Sequence, residues 1–124
     1  MTINQAITKA KRLKPNTFSD GEMVAWLSRC DRVLVQSILQ THLGTAAEEA
    51  FDGYTAAHMD KELIAPAPYD AMYPYWIMAQ VDLANGEYDQ YNASITLFNG
   101  EYQAFEAWYH RNHTPACAGK RFLF

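Results

Sequence analysis

Cysteine is scarce. Cys30 and Cys117 are the two thiols in 124 residues, too few for the disulfide framework that staples small secreted domains, so a reducing compartment is expected. Long apolar runs are missing as well: no segment approaches the ~18 uninterrupted apolar residues of a membrane helix. The opening Met1-Thr2-Ile3-Asn4-Gln5 does not read as a secretion signal. A soluble intracellular chain without a membrane partner is therefore the expectation. Catalytic signatures are also lacking. There is no phosphate-cradling glycine loop, no Gly-x-Ser-x-Gly, no closely spaced cysteine pair and no His-Glu-x-x-His. Finally, basic residues nearly vanish from the middle of the chain. Residues 41–109 carry Lys61 alone against eleven acidic residues, whereas residues 1–40 carry six basic against three acidic. Residues 110–124 carry Arg111, Lys120 and Arg121 with no acid.

Aromatic residues, by contrast, are plentiful, and each large ring buries roughly 150–250 Å². With an apolar content of 49%, that is enough for one compact domain. The stretch from Glu87 to Arg111 dominates. Tyr88, Tyr91, Ile95, Phe98, Tyr102, Phe105 and Tyr109 recur at alternating steps of three and four, which returns to one face of an α-helix. Asp89, Gln90, Ser94, Gln103 and Glu106 take the opposite face. Such a helix is about 37 Å long at ~1.5 Å per residue, and its aromatic stripe must pack against other segments or other copies of the chain. Asn99-Gly100 does not disturb the phase, so the helix reads through it. Gly100 is a candidate for close approach of another backbone, and Trp108 widens the stripe.

Upstream, Thr2 caps a first helix in which Ile3, Ile7, Ala10 and Leu13 share a face. Lys9, Lys11, Arg12 and Lys14 crowd its end, where cations suit the helix dipole, and Pro15-Asn16 stop it. Ser19-Asp20-Gly21-Glu22 reads as a capping box with Phe18 placed to meet Met23 or Val24. It predicts a second helix to about His42, with Gly44 as its stop. Met23, Leu27, Cys30, Leu34 and Ile38 form its stripe, Trp26 and Val33 widen it, and Asp31 and Arg32 fall outside it. Residues 45–65 read as a connector whose exposure and role stay open. Pro66-Ala67-Pro68 favours extended backbone. Asp70 is the cap candidate for a third helix, with Pro74 in its first turn. There Met72, Trp76, Ala79 and Leu83 share a face, with Tyr73 and Ile77 beside it. Asn85-Gly86 closes that helix and makes the third and fourth an antiparallel hairpin. The expected fold is all-α, with about four main helices over residues 1–113 and an extended tail over 114–124. The tail ends in Phe122-Leu123-Phe124, which either folds back onto the domain or is delivered to a partner.

Candidate chemistry is thin. The basic–acidic–basic order suits head-to-tail contact between copies as well as a solvated surface. The basic cluster of the first helix is not continued by interleaved aromatics, as nucleic-acid binding would prefer. Base stacking on the aromatic stripe runs against the acidic middle section. Of His42, His58, His110 and His113, the pair His110 and His113 has a spacing compatible with ligation, but a solvated helix terminus accounts for it better. Cys30 sits on an apolar stripe and reads as core. Glu48-Glu49-x-x-Asp52 resembles half of a magnesium site in all-helical nucleotide pyrophosphohydrolases, which need a second acidic pair. Asp82 with Glu87 is the nearby option, across Gly86. No enzyme, cofactor or metal is expected.

A longer pattern runs Leu63-Ile64-Ala65-Pro66-Ala67-Pro68-Tyr69-Asp70, Tyr73-Pro74-Tyr75, Met78-Ala79-Gln80-Val81-Asp82 and Asn85-Gly86-Glu87-Tyr88. It continues through Tyr91-Asn92, Phe98-Asn99, Tyr102, Phe105 and Trp108-Tyr109. This resembles the head–tail connector, or adaptor, proteins of long-tailed bacteriophages and prophages, and Ile3 to Leu27, with Pro15 and Trp26-Leu27, fits the same pattern. The resemblance implies a virion structural protein, a helical subunit of a ring at the portal vertex. DNA would pass through that ring without sequence-specific binding. Its partners would be the portal protein, neck or tail-completion proteins and further copies of itself, in the virion neck and, during assembly, the host cytoplasm. The surfaces expected to work are the basic cluster Lys9, Lys11, Arg12 and Lys14, the connector acids Glu48, Glu49 and Asp52, and the tail residues Lys120, Arg121, Phe122, Leu123 and Phe124. Two rival readings are a magnesium-dependent nucleotide pyrophosphohydrolase and a prophage-encoded helical binding protein.

Overall fold

Every long element that the three-four stepping outlines is a helix. The computed structural model describes residues 1–38 and 52–112. It contains α1 (Ile3–Leu13), α2 (Asp20–Ser37), α3 (Met72–Ala84) and α4 (Tyr88–Asn112), with 3-10 turns at Ala56–His58 and Tyr69–Ala71. Among the described residues the extended pairing is one isolated antiparallel bridge, Thr2 to Glu62. His42, Gly44, Glu48, Glu49, His113 and Cys117 lie outside the described residues, as does the tail with Lys120, Arg121, Phe122, Leu123 and Phe124.

Cross-helix bonds give the directions. The Met1 amine meets Asp70 and Lys14 meets Asp82, so α1 runs parallel to α3. The Trp76 indole N–H donates to the Trp26 carbonyl, and Tyr73 reaches Asp31, so α2 is antiparallel to α3. Ser94 bonds Asp82, and Phe98 and Phe105 stack against Trp76 and Tyr69, so α4 is antiparallel as well. The third helix therefore touches each of the other three. Met72, Tyr73, Ile77, Ala79 and Val81 are all buried in it, as befits a helix that is apolar on most sides.

Local signals explain the ends. Thr2 and Gln5 form a reciprocal capping box on α1, and the connector supplies carbonyls for the next orphan donors. Ile3 N–H donates to Lys61 O and Asn4 N–H to Met59 O, satisfying groups that a helix start leaves open. Ser19 accepts from the Glu22 N–H, with Asp20 and Glu22 favourably placed at the positive end of α2. Gly86 adopts φ +72°, the left-handed stop of α3, and the hairpin follows at once.

Several expectations are corrected. The second helix ends at Ser37, where Ile38 leaves helical geometry, and the expected stretch to His42 lies outside the described residues. Phe18 packs edge-on against Trp26 and lies against the core cluster that contains Met23 and Val24. Asp70 does not cap α3; it pairs with the Met1 amine at 3.4 Å, and Ala71 occupies the cap without a side-chain bond. The Ala67-Pro68 peptide is cis and the segment turns, with Tyr69 N–H on Pro66 O. Leu13, Val33 and Leu83 are exposed, since their helix faces look away from α3 or beyond its end. The connector is not simply exposed: Tyr54, Leu63 and Ala65 are buried.

Among the described residues Gly100 shows no close approach either, for a Cβ built there meets nothing within 4 Å. Gly100→Ala is therefore expected to raise stability by about 0.5–1 kcal/mol through helix propensity. Gly86→Ala should lower it by about 1 kcal/mol through its left-handed backbone. Urea-denaturation midpoints read both signs, and a destabilising Gly100→Ala would mean that something covers that face.

Candidate functional site

Among the described residues the interior holds two carboxylates, and each ties three parts of the chain together. Asp31 lies on α2 with no exposure. Its Oδ1 accepts from the Tyr73 hydroxyl of α3 at 2.7 Å; its Oδ2 accepts from the Tyr54 hydroxyl and from the Ile64 N–H at 3.2 Å. Tyr73 in turn accepts from the Ala65 N–H at 2.8 Å. One side chain thus fastens both ends of the 54–65 connector and α3 to α2. Tyr54 is aimed by its neighbour: Gly53 has φ +96°, and a Cβ there would sit 2.6 Å from Ser28 Oγ, which itself accepts from the Tyr54 N–H.

Burial pushes the Asp31 carboxyl above the ordinary aspartate range, against the lowering effect of its three donors. Burial and then the Asp31 charge raise Tyr73, Tyr54 and the adjacent Cys30 thiol. The phenols and the thiol stay protonated at neutral pH, so Cys30 is an inert core group.

Asp82 of α3 is the second buried hub. Lys14 Nζ donates to its Oδ1 at 2.5 Å and to Gln90 Oε1 at 3.0 Å, while Ser94 Oγ donates to Oδ2 at 3.0 Å. This joins the end of α1 to both arms of the hairpin. Among the described residues no buried side-chain nitrogen or oxygen lacks a partner.

The candidate surface residues are divided by these contacts. Lys14 is part-buried and holds the helices together through Asp82 and Gln90. Lys11 pairs with Asp20 at 2.5 Å. Lys9 and Arg12 are exposed and line an open groove of about 500 Å³ along the outer face of α1, which Asn4, Thr8 and Asp70 also border. Asp52 is exposed, with its carbonyl accepting from the Arg32 guanidinium at 3.2 Å. Asp82, the second half of the magnesium reading, has both oxygens engaged by Lys14 and Ser94. No group of three or more His, Cys, Asp or Glu among the described residues is placed to hold a metal ion.

Sequence reasoning missed Asp31, Ser94 and Tyr54. A signal for the first existed: Val24, Leu27, Asp31, Leu34 and Ile38 step by three and four as cleanly as the stripe read from Met23. A polar residue on such a stripe implies buried donors around it. Tyr88, assigned to the packed stripe, is instead 64% exposed, because it precedes the part of α4 that α3 covers. No described helix is long and apolar enough to cross a membrane. No family model, curated protein or solved structure matches the chain.

Proposed function

We propose that this chain is a structural subunit of a phage or prophage virion neck, a head–tail connector that assembles as a ring at the portal vertex. The observation that supports this best is the commitment of the interior to rigidity. Tyr73, Phe98, Phe105 and Tyr109 are sealed in the core, and Asp31 and Asp82 lock five segments of chain around them. What remains distinctive lies outside: the Lys9 and Arg12 groove on α1 and the acidic turn between α3 and α4. A rigid body with charged docking faces suits an adaptor, which must hold shape while partners bind it. The resemblance of Leu63 to Tyr109 to connector proteins points the same way. DNA would pass the ring without base-specific contact, and the acidic middle section would keep it from sticking.

Negative-stain microscopy of the chain mixed with its cognate portal ring tests the reading. A added ring of density on the tail-facing side of the portal is the expected result. Bare portals would sink it, as would magnesium-dependent turnover of a nucleotide panel that disappears in Glu49→Ala.

A further inference from the structure

The turn between α3 and α4 is an exposed, stiff projection. Gly86 N–H donates to Leu83 O, Glu87 N–H to Asp82 O and Tyr91 N–H to Glu87 O. The backbone that presents Tyr88 is therefore fixed before anything binds. Tyr88 is the most exposed of the large apolar side chains in the described chain, and it stands between two exposed acids, Glu87 and Asp89. An exposed tyrosine ring, apolar with a polar tip, is a common form of interface anchor.

The complementary feature is the α1 groove. Its one acid, Asp70, is already paired with the Met1 amine, while Lys9 and Arg12 have no ion pair among the described residues. The available charge is therefore positive. The groove's volume is about 500 Å³. Lys14 meets Asp82 and Gln90, so the Lys9–Arg12 end of the groove lies toward the same end of the bundle as the projection. Among the described residues no ion pair nevertheless joins Lys9 or Arg12 to Glu87 or Asp89 of the same chain. Both charged faces therefore stay open to a second copy, and a contact between them repeats head to tail.

We propose that Tyr88, with Glu87 and Asp89, docks into the Lys9–Arg12 groove of a neighbouring copy. This names the subunit contact on which the connector reading rests. The contact is heterologous, so it closes into a ring or extends as a filament according to its rotation. Its strength falls with salt, because both faces are solvent-exposed and the screening length is only about 8 Å at physiological ionic strength.

Charge exchange tests it without the portal. Sedimentation of the wild-type chain at low salt, up to about 1 mM, should show reversible association that weakens as salt is added. Glu87→Lys/Asp89→Lys leaves both faces positive, and Lys9→Glu/Arg12→Glu leaves both negative. Each variant alone should associate roughly tenfold more weakly or worse, with helical circular dichroism unchanged because all four sites are exposed. Mixing the two restores opposite charge at every contact and should restore association. A wild-type chain that stays monomeric throughout overturns the proposal, as does association that the exchanges leave unmoved. Binding of duplex DNA to the groove, with no self-association, overturns it too. Portal binding judged by microscopy is a separate readout, so a connector that assembles through other surfaces remains distinguishable from a chain that is no connector.

Discussion

Asp31→Ala should remove about 4 kcal/mol of unfolding free energy, enough to threaten the fold of a domain this size. The substitution strands three donors in the core: the Tyr54 and Tyr73 hydroxyls and the Ile64 N–H. A buried donor left without a partner costs about 1–3 kcal/mol, and α2, α3 and the connector lose their common fastening at once. Asp31→Asn keeps the shape and one acceptor oxygen, but it turns an amide N–H toward a tyrosine that was donating. It should cost about 1–2 kcal/mol.

The two variants also separate shape from charge through pH. Burial raises the Asp31 carboxyl above its ordinary value of 3.8, so the folded chain binds that proton more readily than the unfolded chain does. Stability contributed by this group therefore rises as pH falls from the raised value toward 3.8, and is lost as pH rises back through that window. Wild type should gain on Asp31→Asn as the pH of a urea titration is lowered from neutral toward about 4. A gap that stays constant over that range would show that the carboxylate is not held against its burial.

How much of this was legible depends on the range of each signal. Thr2, Ser19 and Gly86 act within four residues of themselves, and their helix ends were readable from the sequence. So was the passage of α4 through Gly100, because seven apolar positions kept phase on either side of it. The buried carboxylates were not readable in the same way. Asp31 and Asp82 are inside because a tyrosine, a lysine or a serine arrives from 12 to 68 residues away, and one-dimensional spacing carries no trace of such arrivals. Four cations in and just after α1 look alike in sequence, yet Lys14 bonds to the hairpin, Lys11 pairs with Asp20 at the start of α2, and only Lys9 and Arg12 border the groove. Helical phase has the same limit. It assigns a face but not the length over which a partner covers it, which is why Leu83 and Tyr88 emerge beyond the end of the packing they were in phase with.

That limit makes the aromatic stripe itself the sharpest test of the fold. Phe105→Ala is expected to cost about 3–5 kcal/mol, and Tyr88→Ala less than about 0.5 kcal/mol, although the two rings share one periodic pattern. Phe105 is 1% exposed, and its ring meets Tyr69 at 6.1 Å, Trp108 at 5.9 Å and Tyr109 at 5.8 Å. It therefore joins the far half of α4 to the turn from which α3 starts. Truncating it leaves a void that three neighbouring rings cannot all close, since Trp108 and Tyr109 are fixed on α4 and Tyr69 on the turn before α3. Phe105→Leu fills most of the space and should cost about 1–1.5 kcal/mol. The loss should also be regional: hydrogen exchange in Phe105→Ala should quicken first across residues 102–112 and 69–71, while α1 and α2, held through Asp31 and Asp82, keep their protection. Equal costs at Phe105 and Tyr88 would mean the stripe is packed along its whole length, and the exposed projection at the α3–α4 turn would not exist.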